Sequence, residues 1–175
     1  MRKEILIAGS GGQGVISTSV ILAKAFGLFS GFEVAQTQSY GPEARGGACK
    51  AGVVFSDEEI DFMKVTKPDI FIVFNEAAFH KYQDSLTEDT VIFADTTYVK
   101  EETLKQYKNV YRVNATSIAE KDLRPFVANI VMLGAITKVD EVLDIEAIKK
   151  SIEDTFQEKH LPINFKALEI GQELL

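Results

Sequence analysis

The chain has 175 residues, of which 46% are hydrophobic, and a formal net charge of −7. This size fits one domain with a sizeable core, and the acidic balance argues against nucleic acid and anionic membranes as partners. Cys49 is the only cysteine, so an intrachain disulfide and a cluster held by four cysteines of this chain are excluded. The strand-like start leaves no room for a signal peptide, and we expect a cytoplasmic protein.

Strands and helices are predicted to alternate along most of the chain. Apolar runs without alternation are typical of strands covered by helices on both faces. Strands are predicted at residues 5–8, 33–38, 53–55 (extending back toward Cys49), 70–74, 91–94 and 110–113. Helices are predicted at residues 15–29, 76–82, 101–107, 126–137 and 164–174, and an amphipathic stripe at Ile145, Ile148, Ile152 and Phe156 predicts one more.

This order predicts the fold class. We expect an α/β protein in which residues 1–175 form a single doubly wound domain. The sheet should be mostly parallel, with helices on both faces and a helical C-terminal tail. The helix at residues 126–137 is apolar on almost every side, so it should be buried within the domain or against a partner.

The run Gly9-Ser10-Gly11-Gly12-Gln13-Gly14 lies between the first strand and the first helix. A strand, a glycine turn and a helix N-terminus together lay the backbone close to a phosphate or another anion. Gly9, Gly11 and Gly14 fit the dinucleotide fingerprint. However, Glu33 opens the second strand instead of closing it, which argues against a nicotinamide site. Alternatively, Gly11 and Gly14 only permit a tight turn and close helix–strand packing.

Polar residues follow other predicted strands at the same edge. Asn75 and Asp95 each come directly after an apolar strand, and ligands of open α/β sheets bind outside the carboxyl ends of strands. Each also precedes a possible helix, so helix capping is the alternative interpretation.

A second unusual loop follows the strand at residues 33–38. It consists of Ser39, Tyr40, Gly41, Pro42, Glu43, Ala44, Arg45, Gly46 and Gly47. The guanidinium of Arg45 suits a carboxylate or a phosphate, although a Glu43–Arg45 pair that only pins the loop is an alternative. We expect this loop to leave the sheet at the edge that carries the glycine turn.

With both loops considered, the chain resembles the gamma subunit of 2-oxoacid:ferredoxin oxidoreductases. The similar segments are residues 9–15, 23–25 and 39–47, followed by 114–116 and 128–135. The amino-acid sequence of residues 39–47 is similar to that of the 2-oxoglutarate type; the pyruvate and indolepyruvate branches are the alternatives within the family.

The resemblance implies a subunit of an enzyme that decarboxylates a 2-oxoacid on thiamine diphosphate, reduces ferredoxin and releases an acyl-coenzyme A. Thiamine diphosphate, Mg²⁺ and iron–sulfur clusters are expected on partner subunits, and coenzyme A is expected as co-substrate. No catalytic residue or metal ligand is expected on this chain. The expected cofactor-binding or interface loops contain Gly9, Gly11, Gly12, Gln13, Gly14, Ser39, Tyr40, Gly41, Pro42, Glu43, Arg45, Gly46 and Gly47.

Two other classes of function stay open from the residues alone. One is an independent nucleotide- or flavin-binding protein that uses the glycine turn, and the other is a ligand-sensing regulatory domain. Cys49 is expected to be a small buried residue beside a strand. His80 and His160 are too few and too isolated for a metal site and should lie at the surface.

Overall fold

The computed structural model describes residues 1–39 and 48–175. These residues form a six-stranded sheet in the order β2-β3-β1-β4-β5-β6. The strands are β1 (Arg2–Ser10), β2 (Glu33–Gln38), β3 (Ala48–Ser56), β4 (Ile70–Val73), β5 (Val91–Asp95) and β6 (Val110–Val113). The helices are α1 (Val15–Gly27), α2 (Glu76–Tyr82), α3 (Glu101–Leu104), α4 (Ala115–Asp122), α5 (Ala128–Val139), α6 (Ile145–Thr155) and α7 (Leu161–Gln172).

The sheet is mostly parallel, as the sequence predicts, and one strand is reversed. Strands β1, β4, β5 and β6 pair in parallel, whereas β3 is antiparallel to both of its neighbours, β1 and β2. Because β3 is reversed between them, β1 and β2 run in the same direction. Their carboxyl ends therefore lie at one edge, where the glycine turn follows β1 and Ser39 follows β2.

Helices cover both faces of the sheet. On one face, α1 and α4–α7 pack over the side chains of Ile5, Ile7, Val53 and Ile72, which belong to the larger core cluster. On the other face, α2 and α3 cover a smaller cluster that includes Leu6 and Phe71. Burial on both faces explains why these strands lack polar alternation.

The apolar α5 is buried inside the domain, which is one of the two locations that its composition allows. Every residue from Ala128 to Ile136 is buried, and α7 crosses α5 at very close range. A Cβ atom on Gly134 would lie 2.2 Å from the backbone oxygen of Leu168, and a Cβ on Gly171 would lie 2.1 Å from that of Val131. The two glycines therefore let the helix backbones touch.

Four predicted helices have different bounds in the structure. Helix α1 ends at Gly27 instead of residue 29, and α5 covers Ala128–Val139 instead of residues 126–137. Helix α3 ends at Leu104, whereas residues 101–107 were expected to be helical. Helix α7 begins at Leu161 instead of residue 164, because Pro162 lies in the first turn, where its missing N–H is not needed. Among the described residues, no helix is both long and apolar enough to cross a bilayer.

Candidate functional site

The glycine turn lies at the carboxyl edge of the sheet, between β1 and α1. Its backbone path depends on Gly12 and Gly14, which have φ angles of +88° and +79°. L-residues with a side chain rarely adopt this left-handed conformation. The turn is therefore built from glycine for a conformational reason.

Gly9 and Gly14 have a second reason to lack a side chain. A Cβ on Gly14 would lie 2.6 Å from Cγ of Asn129 in α5, and a Cβ on Gly9 would lie 2.9 Å from Oε1 of Gln13. In contrast, a Cβ on Gly12 would meet nothing within 4 Å. Gly9 and Gly14 therefore lie in close packing, which at Gly14 is one part of the alternative interpretation, whereas Gly12 faces open space.

The side chain of Gln13 holds the turn together. Its Oε1 accepts hydrogen bonds from the backbone N–H of Ser10 at 2.8 Å and from Nδ2 of Asn75 at 2.8 Å. Its Nε2 donates to the backbone oxygen of Phe74 at 3.2 Å. These bonds let Gln13 position the turn against the end of β4.

Asn129 fixes the start of α1 from the opposite side. Its Nδ2 donates to Oγ of Ser17 at 3.1 Å and to Oγ1 of Thr18 at 3.3 Å. Both hydroxyls in turn donate to the backbone oxygen of Gly14. Asn129 was not among the predicted site residues, although an amide inside an otherwise apolar helix is a signal that could have found it.

The N-terminus of α1 opens into a surface depression of about 350 Å³. No side chain caps this helix, and its first turn contains no acidic residue. The positive end of the helix dipole therefore faces the depression without a neutralising carboxylate from its own first turn. The depression is lined by Ser10, Gly11, Gly12, Gly14, Val15, Ile16, Ser17, Cys49 and Phe126.

Among the described residues that line the depression, Cys49 is the one titratable side chain. It is 4% exposed and pairs with Gly9 across β1 and β3. Burial raises the pKa of the Cys49 thiol, which keeps it protonated at neutral pH, and the thiolate is the nucleophilic form. Its position matches the prediction of a small buried residue beside a strand.

Asn75 and Asp95 both have structural partners. Oδ1 of Asn75 accepts from the N–H of Ala78 at 2.8 Å, so it caps α2. The fully buried Asp95 does not cap the helix that follows it. Its Oδ2 accepts from the N–H and the hydroxyl of Thr116, at 3.1 and 2.6 Å, which ties β5 to the first turn of α4.

Of the second predicted loop, only Ser39 is among the described residues; Tyr40, Gly41, Pro42, Glu43, Ala44, Arg45, Gly46 and Gly47 lie outside them. The backbone N–H of Ser39 donates to the backbone oxygen of Lys50 at 3.0 Å. After the loop, Ala48 pairs with Ser10 in the sheet. Both described ends of the segment therefore lie at the carboxyl edge, and Ala48 is directly beside the glycine turn.

The topology also bears on dinucleotide binding. A dinucleotide fold places its acidic residue at the carboxyl end of the strand next to β1. Here β3 separates β2 from β1, and Glu33 pairs with Ser56, which also pairs with Arg2 at the start of β1. Glu33 thus lies at the opposite edge from the glycine turn and cannot hold a ribose there.

The two histidines lie outside this site. His80 is exposed and interacts with Glu76 of the same helix at 2.9 Å, and His160 lies just before α7. Within residues 1–39 and 48–175, no group of three His, Cys, Asp or Glu side chains is arranged to hold a metal ion.

The fold and the site together define a doubly wound α/β domain with a glycine turn at its carboxyl edge. The chain matches the pyruvate ferredoxin/flavodoxin oxidoreductase family over residues 4–174, and it belongs to that family. It is 44% identical to the 2-oxoglutarate synthase subunit KorC of Methanocaldococcus jannaschii, over 99% of this chain and 96% of the relative.

Solved structures show the same relationship. The gamma subunit of a keto/oxoacid ferredoxin oxidoreductase from Geobacter sulfurreducens PCA has a TM-score of 0.85 and 34% identity, and the match covers 99% of this chain and 96% of that chain. The 2-oxoglutarate:ferredoxin oxidoreductase of Magnetococcus marinus, with 2-oxoglutarate, coenzyme A and succinyl-CoA bound, has a TM-score of 0.85 and 25% identity, covering 99% of this chain but 31% of that one. The predicted family is confirmed.

Proposed function

We propose that this chain is the gamma subunit of a 2-oxoglutarate:ferredoxin oxidoreductase, with residues 1–175 as one gamma-type domain. The complex decarboxylates 2-oxoglutarate oxidatively, forms the acyl-coenzyme A and passes electrons to ferredoxin. The 44% identity to a 2-oxoglutarate synthase subunit over nearly the whole of both chains supports this substrate. The amino-acid sequence of residues 39–47 also supports the 2-oxoglutarate branch over the pyruvate and indolepyruvate branches.

The residues that line the depression at the glycine turn support a positioning role for this chain. The described part of this lining contains backbone, apolar side chains, two serines and a thiol whose pKa is raised by burial. Among the residues that the structure describes there, no group acts as an acid or a base at neutral pH, so this part of the surface is suited to positioning. In the proposed complex, partner subunits hold thiamine diphosphate, Mg²⁺ and the iron–sulfur clusters, and these cofactors supply the chemistry.

The same surface suits a position at the entrance of the active site. The N–H groups at the start of α1 and the helix dipole stabilise an anionic group such as a phosphate, and coenzyme A carries phosphates. In this proposal, the glycine turn and the loop at residues 39–47 face the catalytic subunits and line the route of coenzyme A. Arg45 then binds a phosphate or a carboxylate of the partner.

The first experiment is purification of the complex from its native source through a tag on this chain. We expect thiamine diphosphate-binding and cluster-bearing subunits to copurify from the cytoplasm and to reduce ferredoxin when 2-oxoglutarate and coenzyme A are both supplied. Pyruvate and indolepyruvate should be poorer substrates. Turnover by the isolated chain, or the absence of such subunits, would contradict the proposal. Stoichiometric binding of ADP or FMN by the isolated chain would instead favour an independent nucleotide-binding protein.

The second experiment tests Arg45 within the assembled complex. Arg45→Ala should raise the KM for coenzyme A or weaken assembly. Arg112→Ala is the matched control. Arg112 lies on β6, at the far end of the sheet order from β2, and forms a surface pair with Glu101 of α3. If both kinetics and assembly stay unchanged in Arg45→Ala, Arg45 has no role in this function.

A further inference from the structure

Phe126 is an exposed aromatic side chain next to the glycine turn. It is 60% exposed and belongs to a short 3-10 turn, Pro125–Val127, that leads into α5. The next residue, Val127, is fully buried, and α5 is buried from its first residue. Pro125 and this buried helix hold the backbone on either side of Phe126, so the ring is presented from a rigid support.

Phe126 lies between two depressions. It lines the depression of about 350 Å³ at the glycine turn and a second one of about 300 Å³ whose other walls are Phe156, His160 and Asn164. In the second depression, Nδ2 of Asn164 already donates to the backbone oxygen of His160 at 2.8 Å. The ring thus projects between a depression lined largely by backbone and a largely apolar depression. A partner protein can enclose a projecting ring of this kind.

Known relatives indicate which kind of partner this chain binds. The fold of this chain makes up 31% of the Magnetococcus chain, but 96% of the separate subunit KorC. The same domain therefore occurs fused to a larger polypeptide in one relative and as a separate subunit in another. A separate subunit must hold the equivalent of that larger polypeptide by noncovalent contact alone.

We propose that Phe126 is the main anchor by which this chain docks to the subunit that corresponds to the rest of the Magnetococcus chain. This inference rests on the proposed function and assigns one side chain to the interface. The ring enters an apolar pocket of that subunit, and the partner residues around this pocket contact the rims of the two depressions. Aromatic anchors held in one conformation lose little entropy on binding.

Other exposed apolar side chains lack these features. Phe62 is 53% exposed but lines neither of the two depressions. Its backbone oxygen accepts a hydrogen bond from Arg2, the first residue of β1, which places Phe62 at the opposite edge of the sheet. Phe62 is therefore a matched control: it is the same residue type with similar exposure, but it lies away from the site.

The test measures the affinity of the full chain for that subunit, with both proteins from the same organism, by isothermal titration calorimetry. Phe126→Ala should weaken binding about 30-fold or more, Phe126→Leu should retain most of the affinity, and Phe62→Ala should match the unchanged chain. Because Phe126 is largely exposed, thermal unfolding of Phe126→Ala should be unchanged.

The outcomes separate this inference from the proposed function. If the unchanged chain binds the subunit and Phe126→Ala binds equally well, the anchor is elsewhere and the inference is overturned. A loss of affinity in Phe62→Ala instead of Phe126→Ala overturns it in the same way. If the unchanged chain does not bind that subunit at all, the proposed function itself fails.

Discussion

Replacing Gly14 by alanine tests whether the glycine turn is held by packing as well as by backbone conformation. The left-handed φ of +79° at Gly14 should cost alanine about 1–2 kcal/mol. The new Cβ would also lie 2.6 Å from Cγ of Asn129, and overpacking of this kind adds roughly 1–3 kcal/mol. We therefore expect Gly14→Ala to lower the free energy of unfolding by about 2–5 kcal/mol.

Gly12 provides the matched control. Its φ of +88° has the same backbone cost, but nothing lies within 4 Å of a Cβ there. Gly12→Ala should therefore lose only the backbone term, about 1–2 kcal/mol. Urea unfolding with linear extrapolation measures both variants, provided that the m-value is unchanged.

A double mutant separates the two terms. Asn129→Ala removes the atoms that the new Cβ would meet most closely, so Gly14→Ala should cost less in that background and approach the cost of Gly12→Ala. Neighbouring residues that share a steric conflict couple by about 0.5–3 kcal/mol. If Gly14→Ala costs no more than Gly12→Ala, or if the double mutant is strictly additive, the packing argument is refuted.

Three further predictions concern other parts of the chain. Gly134→Ala should destabilise the protein by about 1–3 kcal/mol or more, because its Cβ would lie 2.2 Å from the backbone oxygen of Leu168; a normal urea midpoint would contradict the close crossing of α5 and α7. At Glu76, burial pushes the pKa up, but hydrogen bonds from Thr103, Lys100 and His80 outweigh it and hold the pKa below the ordinary value of 4.5. The stabilisation from Glu76 is therefore present above pH 4.5 and is lost as the pH falls through the lower folded pKa. Unfolding measured between pH 3 and 7 should show that Glu76→Gln is less stable than the unchanged chain at neutral pH and that this difference disappears in acid. Glu102→Gln, at an exposed position, is the control. Alkylation of Cys49 by iodoacetamide at pH 8 should be at least roughly tenfold slower in the folded chain than in urea, because the thiol is buried and its pKa is raised; equal rates would show that the thiol is accessible.

Much of the fold follows from local patterns. The strands β2 and β6 have the bounds that the sequence predicts, and α1 and α2 begin where they are expected. Short apolar runs, a glycine turn and a 3.6-residue stripe each have a physical cause within a few residues of chain. One or both predicted bounds of α1, α3, α5 and α7 were wrong, because helix ends depend on capping and on the neighbouring structure.

The candidate site was predicted only in part. The sequence identified the glycine turn and the edge at which it lies, together with the family of the protein. It assigned Gln13 to a cofactor-binding or interface loop, which stays a prediction; the hydrogen bonds by which the Gln13 amide holds the turn are visible only in the structure. It did not assign Asn129 or Phe126 to the site, because their proximity to the turn is a result of how α5 packs.

The amino-acid sequence by itself determined the alternation of strands and helices, the glycine turn and the buried character of α5, because these depend on side-chain periodicity and on the conformational freedom of glycine. Only the tertiary structure decided that β3 runs in reverse between β1 and β2, that Asn129 bonds to Ser17, 112 residues away, and that Phe126 stays exposed beside the turn. Contacts between distant segments depend on how all the elements pack around one core, and no local pattern contains that information.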